Sequence, residues 1–142
     1  MTTIVDTPVW SLSVRRHAAN LSDIEQTLVR ELEWLITIDR VVLLGPIRQE
    51  LLTGIGQDRN FEAIRELLRA FPDSPITIED YELAAAYYNR CRRSGITPGD
   101  TDILACAVAT RLDADIFTTD SDFVRLADAI PVALHQARNR GI

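Results

Sequence analysis

Two regimes alternate along the chain: short β-branched or apolar runs, and longer stretches in which apolar residues return every three or four positions. Thr2-Thr3-Ile4-Val5-Asp6 has the β-branched content of a short strand. Asp6-Thr7-Pro8 ends it, because proline cannot continue a ladder but can open a helix. Ser22-Asp23-Ile24-Glu25 has capping-box spacing, and Ile24, Leu28, Leu32, Leu35 and Ile36 then recur at helical intervals to about Asp39. Val41-Val42-Leu43-Leu44 is a continuous apolar run before Gly45-Pro46, the pattern of a strand buried on both faces of a parallel sheet. A helix from Pro46 carries Ile47, Leu51 and Leu52 and stops near Gly54 and Gly56; another runs from about Phe61 to Phe71. After Pro72-Asp73-Ser74-Pro75, Ile76-Thr77-Ile78 reads as a very short strand. Glu79 to Ser94 is helical, ending in Arg92-Arg93 and Gly95, the cations and glycine expected at a C-terminus. An Ala-rich helix from Ile103 to Leu112, a strand at Asp115–Thr119, a helix from Ser121 to Ala129 and a last strand at Val132–Leu134 complete the pattern.

Strands alternating with helices imply βαβ units and a mostly parallel sheet covered on both sides. A length of 142 residues, with 46% hydrophobic and 25% charged residues, fits one domain over 1–142 and excludes a disordered or low-complexity chain. No apolar run approaches a membrane span, and the first residues have no basic, apolar leader pattern. Cys91 and Cys106 are too few for a disulfide framework, which points to a reduced, cytoplasmic setting.

Charge sharpens the picture. All 15 basic residues are arginine against 21 acids, a net charge of −6. Without lysine, the chain has no Schiff-base chemistry, no P-loop lysine and no receiver-type phosphotransfer site. The acidity argues against a nucleic-acid partner unless several acids share a metal site; two divalent ions would bring −6 to about −2.

In such folds function sits at the carboxyl ends of strands. Asp6 ends the first strand, Asp120 follows Phe117-Thr118-Thr119, Glu50 lies about one turn into the helix after Leu44, and Asp102 lies at a helix N-terminus. Carboxylates converging in one cleft repel unless cations neutralise them, and an oxygen-only site favours Mg²⁺ or Mn²⁺. Two such ions can hold the attacking water and the leaving oxygen of a phosphodiester. The alternative is separate work: Asp6 and Asp120 capping helices, Asp102 facing a helix dipole and Glu50 solvated.

Four segments appear in order: Asp6-Thr7-Pro8-Val9-Trp10, Arg48-Gln49-Glu50-Leu51-Leu52-Thr53-Gly54, Thr101-Asp102-Ile103-Leu104-Ala105-Cys106-Ala107-Val108-Ala109 and Phe117-Thr118-Thr119-Asp120-Ser121-Asp122-Phe123. Together they resemble the PIN-domain family, and within it the VapC-like toxins of bacterial type II toxin–antitoxin pairs, from Ile4 to about His135. The resemblance implies a three-layer α/β/α fold with a mostly parallel sheet of four to five strands. It also implies a Mg²⁺- or Mn²⁺-dependent endoribonuclease, often a homodimer, held inactive by a VapB-like antitoxin. Asp6, Glu50, Asp102 and Asp120 match the catalytic, metal-binding acids, although Ala105-Cys106 replaces the more usual Ile-Ala. Asp6 and Asp102 would bind the first ion, Glu50 and Asp120 would complete the site, and hydrolysis would leave a 5′-phosphate and a 3′-hydroxyl. Thr118 matches the hydroxyl residue two positions before the fourth acid, and Asp122 is an alternative ligand, a supporting acid or a cap.

The remaining positions carry weaker signals. Arg48, two residues before Glu50, is a candidate RNA contact. Arg15-Arg16 and Arg90, Arg92 and Arg93 are either phosphate or antitoxin contacts or solvated helix faces. Asp100 is read as an N-cap, His17 and His135 as structural or exposed, Cys106 as packing, and Trp10, Trp34, Tyr81, Tyr87 and Tyr88 as core aromatics or an interface. Two alternatives stand beside the toxin: a PIN-like RNA-processing nuclease without antitoxin, and a non-catalytic PIN module that binds RNA or protein.

Overall fold

The computed structural model describes residues 1–14 and 18–138. Arg15, Arg16 and His17 therefore lie outside the described residues. In chain order the elements are β1 (Thr3–Val5), α1 (Thr7–Val14), a 3-10 turn (Ala18–Asn20), α2 (Asp23–Thr37), β2 (Val41–Val42), α3 (Gly45–Leu52), α4 (Asp58–Leu68), α5 (Ile78–Arg93), α6 (Asp100–Leu112), β3 (Asp115–Phe117) and α7 (Asp122–Ala129). The three strands form a parallel sheet in the order β2-β1-β3, with Thr3 opposite Val41 and Asp115, and Val5 opposite Phe117.

Ile4 and Val5 point to opposite faces of β1 and neither is exposed, so helices cover both sides of the central strand. Helix α6 packs on β1 and β3 and against α5, while α1 packs on α2 and α3. Residues Ile103 to Ala109 of α6 are buried without a break, and the small side chains of Ala105, Cys106, Ala107 and Ala109 let neighbouring backbones approach closely. Trp10, Leu32, Leu35, Leu43, Leu44, Ile116, Phe117 and Phe123 fill the rest of one continuous core.

Local chemistry sets the element ends. Ser22 accepts from the Glu25 amide while the Glu25 carboxylate accepts from the Ser22 amide, the capping box expected at α2. Thr77 and Asp80 repeat the device at α5, and this displaces an expected element. Thr77 is an N-cap and Ile78 the first helical residue, so Ile76–Ile78 forms no strand. Val132–Leu134 contributes one bridge, Leu134 to Ile116, instead of a full strand. A second bridge joins Leu43 to Asp73, so among the described residues the sheet has three strands with one-residue extensions rather than four to five. Val41 and Val42 are only half-buried because β2 pairs with β1 alone. Helix α4 is shifted toward the N-terminus of the expected span, and β3 ends at Phe117, leaving Thr118 and Thr119 in the loop before α7. At the end of α5, Gly95 adopts φ 79°, so that its amide reaches Arg92 and the Ile96 amide reaches Cys91.

Away from the strand exits, a polar cluster fastens the chain after α7. His135 lies between Glu31 (2.7 Å) and Asp115 (2.9 Å), Thr3 donates to Asp115 (2.6 Å), and Arg138 donates to Glu31 (3.2 Å) while stacking over Trp34. His135 is thus structural, as expected. Among the described residues no helix is long and apolar enough to cross a membrane.

Candidate active site

β1 is the central strand: the chain leaves it toward β2 on one side and later returns as β3 on the other. The crevice at its carboxyl end gathers the residues that leave β1 and β3. Asp6 is the first residue past β1 and is 5% exposed. Its carbonyl accepts from the Val9 and Trp10 amides, and its own amide donates to the Phe117 carbonyl. The backbone of Asp6 is therefore fixed between α1 and β3.

Two threonines lace the acids together. Thr118 donates its hydroxyl to Asp6 Oδ2 at 2.8 Å and accepts from the Asp120 amide at 3.0 Å. Thr7 donates its amide to the Asp6 carboxylate and its hydroxyl to Glu50 Oε1 at 2.9 Å. Asp120 Oδ1 accepts from the Asp122 amide at 2.9 Å, which starts α7. Thr7 is a site residue that sequence reasoning misses: it stands beside a matched acid, but nothing in its spacing signals a bond to a residue 43 positions away.

Asp102 enters from the first turn of α6 and, among the described residues, its carboxylate takes no hydrogen bond. Burial, together with the charges of Asp6, Asp120, Glu50 and Asp122, pushes its pKa up to about 7. Burial also raises Asp6; the Thr118 and Thr7 hydrogen bonds oppose the rise, and Glu50 and Asp120 add to it. The acids read from the sequence thus share one electrostatic field, although they come from four separate parts of the chain. Among the described residues no three His, Cys, Asp or Glu side chains are already gathered as a metal-ligand shell.

The surroundings fit a hard cation. The nearby Cys106 thiol is fully buried, and burial together with Asp102, Cys91 and Asp6 pushes its pKa up to about 12. It remains a thiol, and the charged groups beside it are carboxylates, whose oxygens suit hard cations.

The weaker candidates fall elsewhere. Arg48 donates to Asp73 (2.8 Å), to the Leu68 carbonyl (3.0 Å) and to the Phe71 carbonyl, so its guanidinium ties α3 to the end of α4. Asp100 is the first residue of α6 and Gly99 the N-cap, which corrects the reading of Asp100 as a cap. Arg90, Arg92 and Arg93 occupy the last turn of α5, and Arg92 bonds Thr97 in the loop that leads to Asp102. Trp10 is core and meets Phe71 edge-on, and Tyr87 is buried on Thr110. Tyr81 and Tyr88 line an open groove of about 400 Å³ between α5 and α6.

A parallel α/β fold that brings carboxylates from separate parts of the chain to the end of its central strand defines a class of α/β proteins with an acidic strand end. The sequence matches the PIN domain over residues 4–129, and the chain belongs to that family. A stretch of 86 residues is 31% identical to VapC ribonuclease Mb1587 of Mycobacterium bovis and to ribonuclease VapC11 of Mycobacterium tuberculosis, covering 59% of this chain and 64% of theirs. The fold matches FitAcB from Neisseria gonorrhoeae at TM-score 0.75 with 19% identity, over 96% of this chain and 98% of that one. VapBC2 from Rickettsia felis, bound to a promoter DNA fragment, matches at TM-score 0.75 with 14% identity, over 95% and 98%. At these identities the structural matches speak for the fold.

Proposed function

We propose that this PIN domain is a metal-dependent endoribonuclease and the toxic partner of a type II toxin–antitoxin pair, working in the cytoplasm as a homodimer. The observation that carries the reading is the gathering of four acids at one strand end: Thr7 bonds Glu50, Thr118 bonds Asp6 and the Asp120 amide, and Asp102 lies in the field of all three acids. Such a concentration of negative charge disfavours an RNA phosphate until a cation enters. The likeness to ribonucleases named VapC supports RNA as substrate, and the likeness to VapBC complexes supports a VapB-like antitoxin.

Asp6 and Asp102 would hold the first Mg²⁺ or Mn²⁺, with Glu50 and Asp120 completing the site. When bound, divalent ions neutralise the phosphate and make water a better nucleophile near neutral pH. The protein's own groups supply placement. Thr118 holds Asp6 and, through its amide partner, Asp120. The Asp122 amide steadies Asp120, which supports Asp120 as the nearer ligand. Cys106 and the alanines around it keep solvent from the inner side of α6. Arg48 bonds Asp73 and the Leu68 and Phe71 carbonyls, so its guanidinium supports the α3 backbone that carries Glu50.

An antitoxin arginine placed among these carboxylates would compete with both metal and RNA. RNA cleavage by the purified full chain tests the reading. Activity with Mg²⁺ or Mn²⁺, its loss in EDTA and suppression by a co-expressed antitoxin are expected; cleavage by metal-free protein overturns it.

A further inference from the structure

Resting on the nuclease reading above, we infer that Thr7 is a positioning residue: its hydroxyl fixes the orientation of Glu50 against Asp6, and thereby sets the divalent-cation affinity of the site. Among the described residues Thr7 hydrogen-bonds both acids, the Asp6 carboxylate through its amide and Glu50 Oε1 through its hydroxyl at 2.9 Å. Among the described residues no other hydrogen bond or ion pair reaches the Glu50 carboxylate. Asp6 is buried and gripped from two sides, whereas Glu50 is exposed.

The backbones on both sides are already fixed. The Asp6 carbonyl caps α1, and Arg48 fastens α3 to Asp73 and to the Leu68 and Phe71 carbonyls. The remaining freedom is in the torsions of the Glu50 side chain. An exposed glutamate samples several rotamers, and repulsion from Asp6 favours those that point away. A hydroxyl donor anchored on the Asp6 side selects the rotamer that keeps the two carboxylates together before any cation arrives. Partners that orient a ligand in this way are worth roughly 10–100-fold in metal affinity.

The test is Mn²⁺ binding to the full chain without RNA, measured by calorimetry and by electron paramagnetic resonance. Thr7→Val removes the hydroxyl and keeps the β-branched shape; it is expected to weaken Mn²⁺ binding roughly 10–100-fold. Thr7→Ser keeps the donor and restores wild-type affinity. In a Glu50→Gln background Thr7→Val adds little, because the carboxylate that the hydroxyl orients is gone. Thr7→Ala takes the place of the valine variant if that one fails to fold by circular dichroism. Wild-type affinity in Thr7→Val, or an equal loss with and without Glu50→Gln, overturns the positioning role. Wild-type protein that binds no Mn²⁺ overturns the nuclease reading along with it.

Discussion

Asp102 and Asp6 both have carboxylates around them, but among the described residues only Asp6 has hydrogen bonds to offset them. With burial and the charges of Asp6, Asp120, Glu50 and Asp122 holding the Asp102 carboxyl at about 7, the folded metal-free protein binds a proton that the unfolded chain has released between about pH 4 and pH 7. That proton contributes stability at acidic pH, and the contribution is lost as pH rises through about 7. The melting temperature of the metal-free protein should therefore rise on going from about pH 8 to about pH 6. Asp102→Asn should flatten that profile, raise the metal-free melting temperature at about pH 8, and abolish metal-dependent cleavage. A pH profile identical in wild type and Asp102→Asn would place the titrating group elsewhere. Thr118 works against the same repulsion by donating to Asp6. Thr118→Val should lower Mn²⁺ affinity roughly 10–100-fold while the fold, monitored by circular dichroism, is kept.

At the scale of elements, stability depends on caps and on a polar clasp. Ser22→Ala breaks the capping box of α2 and should cost about 1 kcal/mol in urea unfolding. The clasp joins α2 to the chain after α7. Burial raises the Glu31 carboxyl, but hydrogen bonds from His135 and Arg138, helped by their charges, outweigh it and leave the pKa lowered. A depressed carboxyl stabilises above its ordinary range and loses that contribution as pH falls through the lowered value. Glu31→Gln should thus reduce the melting temperature at neutral pH and narrow the difference between variant and wild type under strongly acidic conditions. The capping boxes show which features can be read from the chain alone. Ser22-Asp23-Ile24-Glu25 is a local code, and α2 begins where it says. Thr77-Ile78-Glu79-Asp80 carries the same code with aspartate in the last place, but Ile76-Thr77-Ile78 has strand-like β-branching, and the cap prevails. The clasp is invisible in the sequence because its partners lie 104 and 20 residues apart, a separation that no periodicity reports. The four acids are legible through their order along the chain, whereas the threonine bonds that space them exist only after β1, α3 and β3 come together.

At the scale of the whole molecule, the acids come within one another's fields because β1 is central, with β3 on one side and the α3 helix start, just past β2, on the other. No single element carries more than a part of the crevice. A cation bound there ties those parts together, and one ion at 100 times its Kd should add about 2.7 kcal/mol to the folded state. Since the carboxylates do not stand as a finished ligand shell, binding should also draw them inward, seen as slower amide exchange at Asp6, Asp102 and Asp120. A melting temperature unmoved by Mn²⁺ across a full titration would contradict a native cation site. The most direct trial of a metal-dependent nuclease is cleavage of a single-stranded RNA by the full chain, run side by side with Mn²⁺, with EDTA and with Asp102→Asn. Products carrying 5′-phosphates are expected in the first reaction and intact RNA in the other two. Equal cleavage in all three would contradict a carboxylate-held metal as the source of activity.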